Sequence, residues 1–583
     1  MEKAWETALS TRTDLEKYGD NSLVLFALGL KFGLEDLESI AANALTDGSD
    51  DKKCDLVYVD TDEGFAVIAQ CYKSTKLRKE APANKASDLN TAVSWLLQRP
   101  IAELPDGLKS AAQELRSALQ ESTVTTLHIW YVHNLNESKN VLNELKTVES
   151  TAQAALEKQF PEKKVKLQAL EVGDPTLSEW YSDALSPILV DEKFEIPVQG
   201  GFEITGLNWS AYITAIPAKF LHRVYKRHKT RLFSANVRDY LGSRQSDANI
   251  NFGIKNTAEK EPYNFWVFNN GLTVLVNKYD RKEKGNKIFL VVDGISVVNG
   301  AQTTGAIGSL RKQPADTALV PARFVQTSDK DILFGIIRYN NSQNKVTASD
   351  FRSTDPIQKR LREQMEKIPQ AEYEGGRRGG HEDVIRRRPD LLPSYTVGQA
   401  LAALQQDPVT AYNQKTNIWV SDTFYSKYFN EHTTAPHIVF AYSLLRSVEA
   451  KKMRLVEKTR RSDASMTVAE KDQTAFFRHR GSTFLLTAAI SGCLETVLLR
   501  SIPNLFRLSF GESISPKEAQ AIWDDIVETV TPFCMQLQGA LTDGLKSKER
   551  VNEAIQRFQS LVLATVEVNR DRYKAFASKI ISK

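Results

Sequence analysis

Two runs in this chain concentrate groups that could hold a ligand. FNNGLTVLV (268–276) and VVNGAQTTGAI (297–307) each set an Asn-Gly pair against an apolar, strand-like segment. Asn269, Asn270 and Gly271 belong to the first; Asn299, Gly300, Gln302 and Thr303 belong to the second, which runs into a small-residue helix start. Carboxamides and free backbone N–H groups are what a site offers a polar ligand. A helix N-terminus suits an anion, phosphate included. At FNNG a tight hairpin is an equal alternative, because Asn-Gly is the commonest hairpin dipeptide. A buried amide network that only fixes loop geometry is another. RYNNSQNKV (338–346) adds Asn341, Gln343 and Asn344, and RLFSANVRDYLG (231–242) adds Arg238, whose guanidinium could grip a phosphate with two bonds. No histidine and no paired carboxylates lie inside these runs, and the nearest acids, Asp293 and Asp350, suit turn caps. The pattern points to recognition rather than acid–base chemistry.

In this order the four segments resemble the abortive infection phage resistance (AIPR) family of bacterial proteins. The elements LF..N.R..LG, F...NNG, NG.QT and N.QN.V all stand within 220–365. The resemblance implies an anti-phage role by abortive infection, an outcome no single residue here encodes.

A second constellation lies near the start. A helix carrying Glu35 and Glu38, Asp55 at the head of a β-hairpin and Gln70 on its second strand resemble the restriction-endonuclease-like PD-(D/E)xK fold in its Mrr-like form. That resemblance implies phosphodiester hydrolysis with magnesium, or manganese, held by Asp55 and Glu38. The ion would neutralise developing charge and lower the pKa of a bound water, and a lysine would stabilise the phosphorane. The Mrr-like pattern places that lysine at 72, where this chain has Tyr72, with Lys73 beside it. Strand alternation turns Lys73 to the face opposite Gln70. A bulge could return it, or Lys85 on the next helix could substitute. The catalytic candidates are therefore Asp55, Gln70, Lys73 and Lys85. Three readings stay open: an active nuclease on DNA or RNA, a nuclease-like fold without chemistry, and an unrelated α/β domain in which Asp55 and Gln70 cap a hairpin.

Composition narrows the setting. With 583 residues, 42% hydrophobic and 25% charged, the chain is long enough for several globular domains. A net charge of +4 does not by itself argue for nucleic acid. Basic clusters at 221–231, 375–389, 458–461 and 476–481 are more often solvated faces than phosphate sites. Cys54, Cys71, Cys493 and Cys534 form no C-x-x-C pair, which argues against a thiolate zinc site and for a reducing cytoplasm. The charged N-terminus does not read as a signal peptide. STFLLTAAISGCLETVLL (482–499) is interrupted by Glu495 and reads as a buried helix rather than a membrane span. His222 and His228 read as exposed members of a basic helix, and His381-Glu382-Asp383 is a weak metal triplet in a loop.

The periodicity around these residues predicts an α/β N-terminal domain over 1–188, which the resemblance makes nuclease-like: a helix at 21–45, strands at 54–60 and 65–73, a helix at 85–97, a strand at 124–134, a helix at 140–160 and a strand at 163–172. An α/β AIPR centre follows at 189–370, then an exposed Gly/Arg-rich loop at 371–395 and a mostly α-helical C-terminal region at 396–583. The expected function is an anti-phage effector acting as a metal-dependent nuclease. The alternative is an inactive sensor or adaptor whose AIPR centre binds a nucleotide, nucleic acid or phage component. Expected partners are nucleic acid and a phage-derived trigger or a defence protein, with no membrane, and a homodimer fits a helical C-terminus of this size.

Overall fold

The computed structural model describes residues 3–46, 51–76, 78–185, 190–228, 246–329, 355–375, 387–461 and 466–582, with isolated positions at 188, 232–233, 332–333, 335–336, 352 and 384–385. They form two compact units. One comprises 1–177 together with 348–583; the other is 178–347.

In the first unit the N-terminal part is built on a four-stranded sheet. Its strands are β1 (Leu56–Asp60), β2 (Phe65–Tyr72), β3 (Thr126–His133) and β4 (Lys166–Val172), in that spatial order. β1 and β2 are an antiparallel hairpin, and β2, β3 and β4 run parallel. Parallel neighbours need crossovers, and helices supply them: α4 (Ala83–Leu97) and α5 (Asp106–Gln120) link β2 to β3, and α6 (Lys139–Gln159) links β3 to β4. Ile68, Leu89, Val93, Leu108, Ile129 and Leu145 share the core between the sheet and these helices. On the opposite face, Phe32 at the end of α2 (Asn21–Phe32) stacks on Phe65 at 3.9 Å between ring centres.

The expected helix at 21–45 is two helices. Gly33, at φ 63°, ends α2, and the Asp36 side chain caps α3 (Leu37–Ala44) by accepting from Ser39 N–H at 3.2 Å. α5 was not expected as a helix of its own. Its stripe of Leu108, Ala111, Ala112, Leu115 and Leu119 is apolar but flanked by prolines and polar residues.

The C-terminal part of this unit is helical. The helix Ala435–Arg461 lies in a core with Phe440, Phe476, Ile490 and Trp523. The apolar run at 482–499 forms two short helices, Ser482–Gly492 and Leu494–Leu498, closed at Leu499 with φ 54°. Among the described residues no helix is long and apolar enough to cross a membrane. The segment 371–395 is not an exposed loop where it is described. Tyr373, Val384, Ile385, Leu391 and Leu392 are buried, and Glu372 bridges to Leu391.

The second unit carries a mixed sheet ordered β5 (Val190–Val198), β10 (Lys287–Asn299), β8 (Leu272–Leu275), β11 (Leu319–Thr327), β7 (Trp209–Pro217), β6 (Gly201–Thr205), with β9 (Lys278–Lys284) paired to β10. Gly294, at φ 68°, interrupts the β10 register between Asp293 and Ile295. Before the break β10 pairs with β5 and β9; after it Ile295 still pairs with Val190 of β5, and Ser296 to Asn299 pair with β8.

Candidate functional site

The hairpin of the first unit fixes the N-terminal candidates. The β1–β2 register pairs Leu56 with Ala69, so one step outward Asp55 stands across from Gln70. Asp55 N–H donates to the Ala69 carbonyl at 2.9 Å, and its carboxylate accepts Cys71 N–H at 2.7 Å. The carboxylate thus stands in for a strand partner at the open end of the ladder. Gln70 pairs in register with Tyr131 of β3 and is 4% exposed. Its Oε1 is buried and has no hydrogen-bond partner among the described residues. A buried amide oxygen left unpaired is costly, and in a native fold it calls for an explanation such as an ion or a ligand.

The other N-terminal candidates spread out. Lys73 follows the end of β2, and its charge and that of Asp55 both act on the Cys71 thiol, which burial pushes well up. Lys85 sits in the first turn of α4, its N–H bonded to the Pro82 carbonyl at 3.1 Å. Glu38 is drawn elsewhere. Its carboxylate pairs with Lys17 at 2.5 Å and with Arg387. Burial alone would raise the Glu38 pKa, but Arg387, Arg446 and Lys17 outweigh it and hold the carboxyl at about 2. Glu38 belongs to a charged cluster that ties α3 to the C-terminal helices: Arg446 meets Asp36 at 2.5 Å and Glu449 at 2.6 Å, and Ser39 Oγ donates to Glu449 at 2.9 Å. A carboxylate gripped by two cations is a poor ion ligand. Among the described residues no three His, Cys, Asp or Glu side chains gather at metal-binding range. Across the hairpin Asp55 and Gln70 offer hard oxygens, the donor type of magnesium, an ion that keeps several waters and needs only one or two protein carboxylates.

Asp55 also lines a cavity of about 710 Å³. Asp20, Asn21, Asn43 and Asp51 share its N-terminal wall, and Lys452, Val456, Arg478 and Arg480 come from the helical part of the same unit. Arg480 is 7% exposed; it donates to Glu114 and to the Val57 carbonyl, and so locks the helical part onto β1. The sequence gives no local signal for this second wall, because its residues lie some four hundred positions from Asp55 and read as an ordinary amphipathic helix and a basic run.

In the second unit the amide-rich runs meet. Asn269, Asn270 and Gly271 do not end a strand, and no hairpin forms there; they lead from the short helix Phe265–Phe268 into β8. Asn299 ends β10, in register with Thr273 of the antiparallel β8, so both Asn-Gly pairs fall at one end of the sheet. Asn269 Nδ2 donates to Thr303 Oγ1 at 3.1 Å, and its Oδ1 accepts Gly271 N–H at 2.9 Å. Gly300, at φ 93°, precedes the helix Ala301–Gly308, whose N-terminus no side chain caps. A Cβ at Gly271 would lie 2.5 Å from the Pro321 carbonyl oxygen, and one at Gly300 would strike Leu272. Asn270 is exposed, and Asn299 and Gln302 are half-buried. Arg238, Asn341, Gln343, Asn344 and the triplet 381–383 lie outside the described residues. His222 is buried rather than exposed, its Nε2 3.2 Å from the Leu310 carbonyl oxygen.

The family model described as AIPR protein matches residues 233–538, more than half of the chain. The chain belongs to the AIPR family. No curated protein and no solved structure matches it. The AIPR match takes in β8 to β11, both Asn-Gly runs and most of the C-terminal helices, and it leaves the β1–β4 sheet outside. Membership of the AIPR family suggests an abortive-infection role against phage.

Proposed function

We propose that this AIPR protein is an abortive-infection effector whose N-terminal part cleaves nucleic acid with magnesium or manganese. The observation that carries the reading is Gln70 Oε1, buried and without a hydrogen-bond partner among the described residues, on the residue that stands across the hairpin from Asp55. Asp55 and Gln70 would hold the ion, which when bound supplies charge neutralisation and an acidified water. The residues around them have their own tasks. Asp55 is kept in place by its bond to Cys71 N–H. Lys73 or Lys85 would place an ammonium against the negative charge that builds on the phosphoryl oxygens. The mixed sheet, a hairpin followed by helical crossovers to parallel strands, supports the comparison with the restriction-endonuclease-like fold.

Purified protein incubated with plasmid DNA, single-stranded DNA and RNA, each with magnesium or manganese, is the direct test. Cleavage that disappears in Asp55→Ala is expected; cleavage that survives the substitution rejects the assignment.

A second reading has its own observation. In the AIPR centre, exposed Asn270 and half-buried Gln302 flank an uncapped helix N-terminus, as a nucleotide or phage-component sensor would need. Nucleotide binding without cleavage of any substrate would favour it.

A further inference from the structure

The cavity at Asp55 has walls of opposite character. On one side stand Asp20 and Asp55; on the other stand Lys452, from the helix Ala435–Arg461, and Arg478, at the C-cap of the helix Val468–Phe477. We propose that this cavity takes an unpaired strand of nucleic acid, with Lys452 and Arg478 gripping its phosphates, and that the helical wall excludes a duplex. The inference rests on the nuclease reading above and names the substrate class of that site.

Three observations carry it. The first is size. A volume of about 710 Å³ falls in the range of roughly 300–1,000 Å³ that encloses one small-molecule-sized group. That is room for a nucleotide or two, whereas duplexes are read on open surfaces that fit into grooves about 12 Å wide. The second is charge. Carboxylates alone would repel a phosphodiester, so a strand needs cations on the facing wall, and a guanidinium offers a planar fork for phosphate oxygens. Arg478 is exposed, whereas Lys452 is 8% exposed and so fixed in the wall. The third is lining. The helical part also contributes half-buried Val456, an apolar surface for a base, and the N-terminal part contributes Asn43, whose buried Oδ1 has no hydrogen-bond partner among the described residues. An amide acceptor and an apolar surface in the same cavity suit the edge and face of an unstacked base.

Binding separates this inference from cleavage. Fluorescence anisotropy of the full chain in calcium compares a short single strand, the matched duplex and a free nucleotide. The single strand is expected to bind at least about tenfold tighter than either, and Arg478→Gln and Lys452→Gln are each expected to lower its affinity and flatten the salt dependence by about one phosphate contact. Arg478 is exposed, so its variant reports on binding even if Lys452→Gln fails to fold. A duplex or a free nucleotide that binds as tightly as the single strand overturns the inference, as does an Arg478→Gln protein that binds like the wild type. If cleavage still depends on Asp55 in those cases, the nuclease reading stands without this substrate. If nothing binds and nothing is cut, both fall.

Discussion

The Asp55 carboxylate accepts the backbone N–H of Cys71 at 2.7 Å, so one side chain both closes the β1–β2 ladder and faces the cavity. The two roles separate by substitution. Asp55→Asn keeps an acceptor for Cys71 and removes the charge, whereas Asp55→Ala removes both. Asp55→Asn is expected to melt in denaturant like the wild type and to lose cleavage. Asp55→Ala is expected to lose cleavage and also about 1–2 kcal/mol of stability, the cost of an orphaned N–H. A cleaving Asp55→Asn protein would contradict the proposed ion site.

Gln70 should trade stability against activity. Its Oε1 is buried and unpaired among the described residues, and Ile68, two positions earlier on the same strand face, lies in the apolar core. Gln70→Met keeps the bulk and removes the polar atom. It is expected to stabilise the protein by about 1 kcal/mol while abolishing metal-dependent cleavage. Loss of stability in a urea titration would mean that the amide serves the fold and not a ligand.

Acid should weaken the first unit in two stages. His437 is buried, its Nδ1–H donates to the Leu508 carbonyl at 3.0 Å, and burial pushes its pKa from the usual 6.5 to about 4. The unfolded chain therefore takes up this proton first. Stability from this group is complete above pH 6.5 and is lost as pH falls towards 4, by roughly 3 kcal/mol. Glu38, held at about 2 instead of the usual 4.5, adds a second loss between those two values, because its charged form pairs with Arg387 and Lys17 only in the folded state. Unfolding free energies measured across pH should fall through both windows, and His437→Gln should flatten the upper one.

The glycines of the AIPR centre should not tolerate a side chain. Gly271, at φ 81°, would bring a Cβ against the Pro321 carbonyl, and Gly300, at φ 93°, against Leu272. Gly271→Ala and Gly300→Ala are each expected to cost about 1–3 kcal/mol, since both strain and overlap oppose the change. Thermal melts that match the wild type would show that this end of the sheet adapts.

Asn269 carries a milder prediction. Asn269→Ala removes the bonds to Thr303 and to Gly271 N–H and is expected to cost about 1–2 kcal/mol. If the cluster also serves a ligand, nucleotide binding by calorimetry should fall by more than the stability loss explains.

Much of this was legible in order along the chain. The alternation in CDLVYVD and FAVIAQCYK gave the hairpin, and the intervening helix and strand periods gave a mixed sheet. The Asn-Gly runs marked where two strands of the AIPR centre come level, although FNNG proved to open a strand from a helix rather than turn a hairpin. α5 was missed because prolines and polar residues flank its apolar stripe. Glu38 reads as a site acid only through the resemblance to the restriction-endonuclease-like layout, a helix carrying acids ahead of the hairpin; the structure sets it against Arg387, a residue 349 positions away that no local pattern links to it.

By itself the sequence determined the class of each segment and the residue types able to do chemistry, because strand and helix periods and turn residues are local properties. Tertiary structure alone decided which charges face one another. It set Glu38 against Arg387 and Asp36 against Arg446, and it brought Lys452 and Arg478 to the cavity of Asp55. Ion pairs and cavity walls are formed by side chains distant in sequence, and their partners are chosen by burial and geometry, which a linear pattern does not contain.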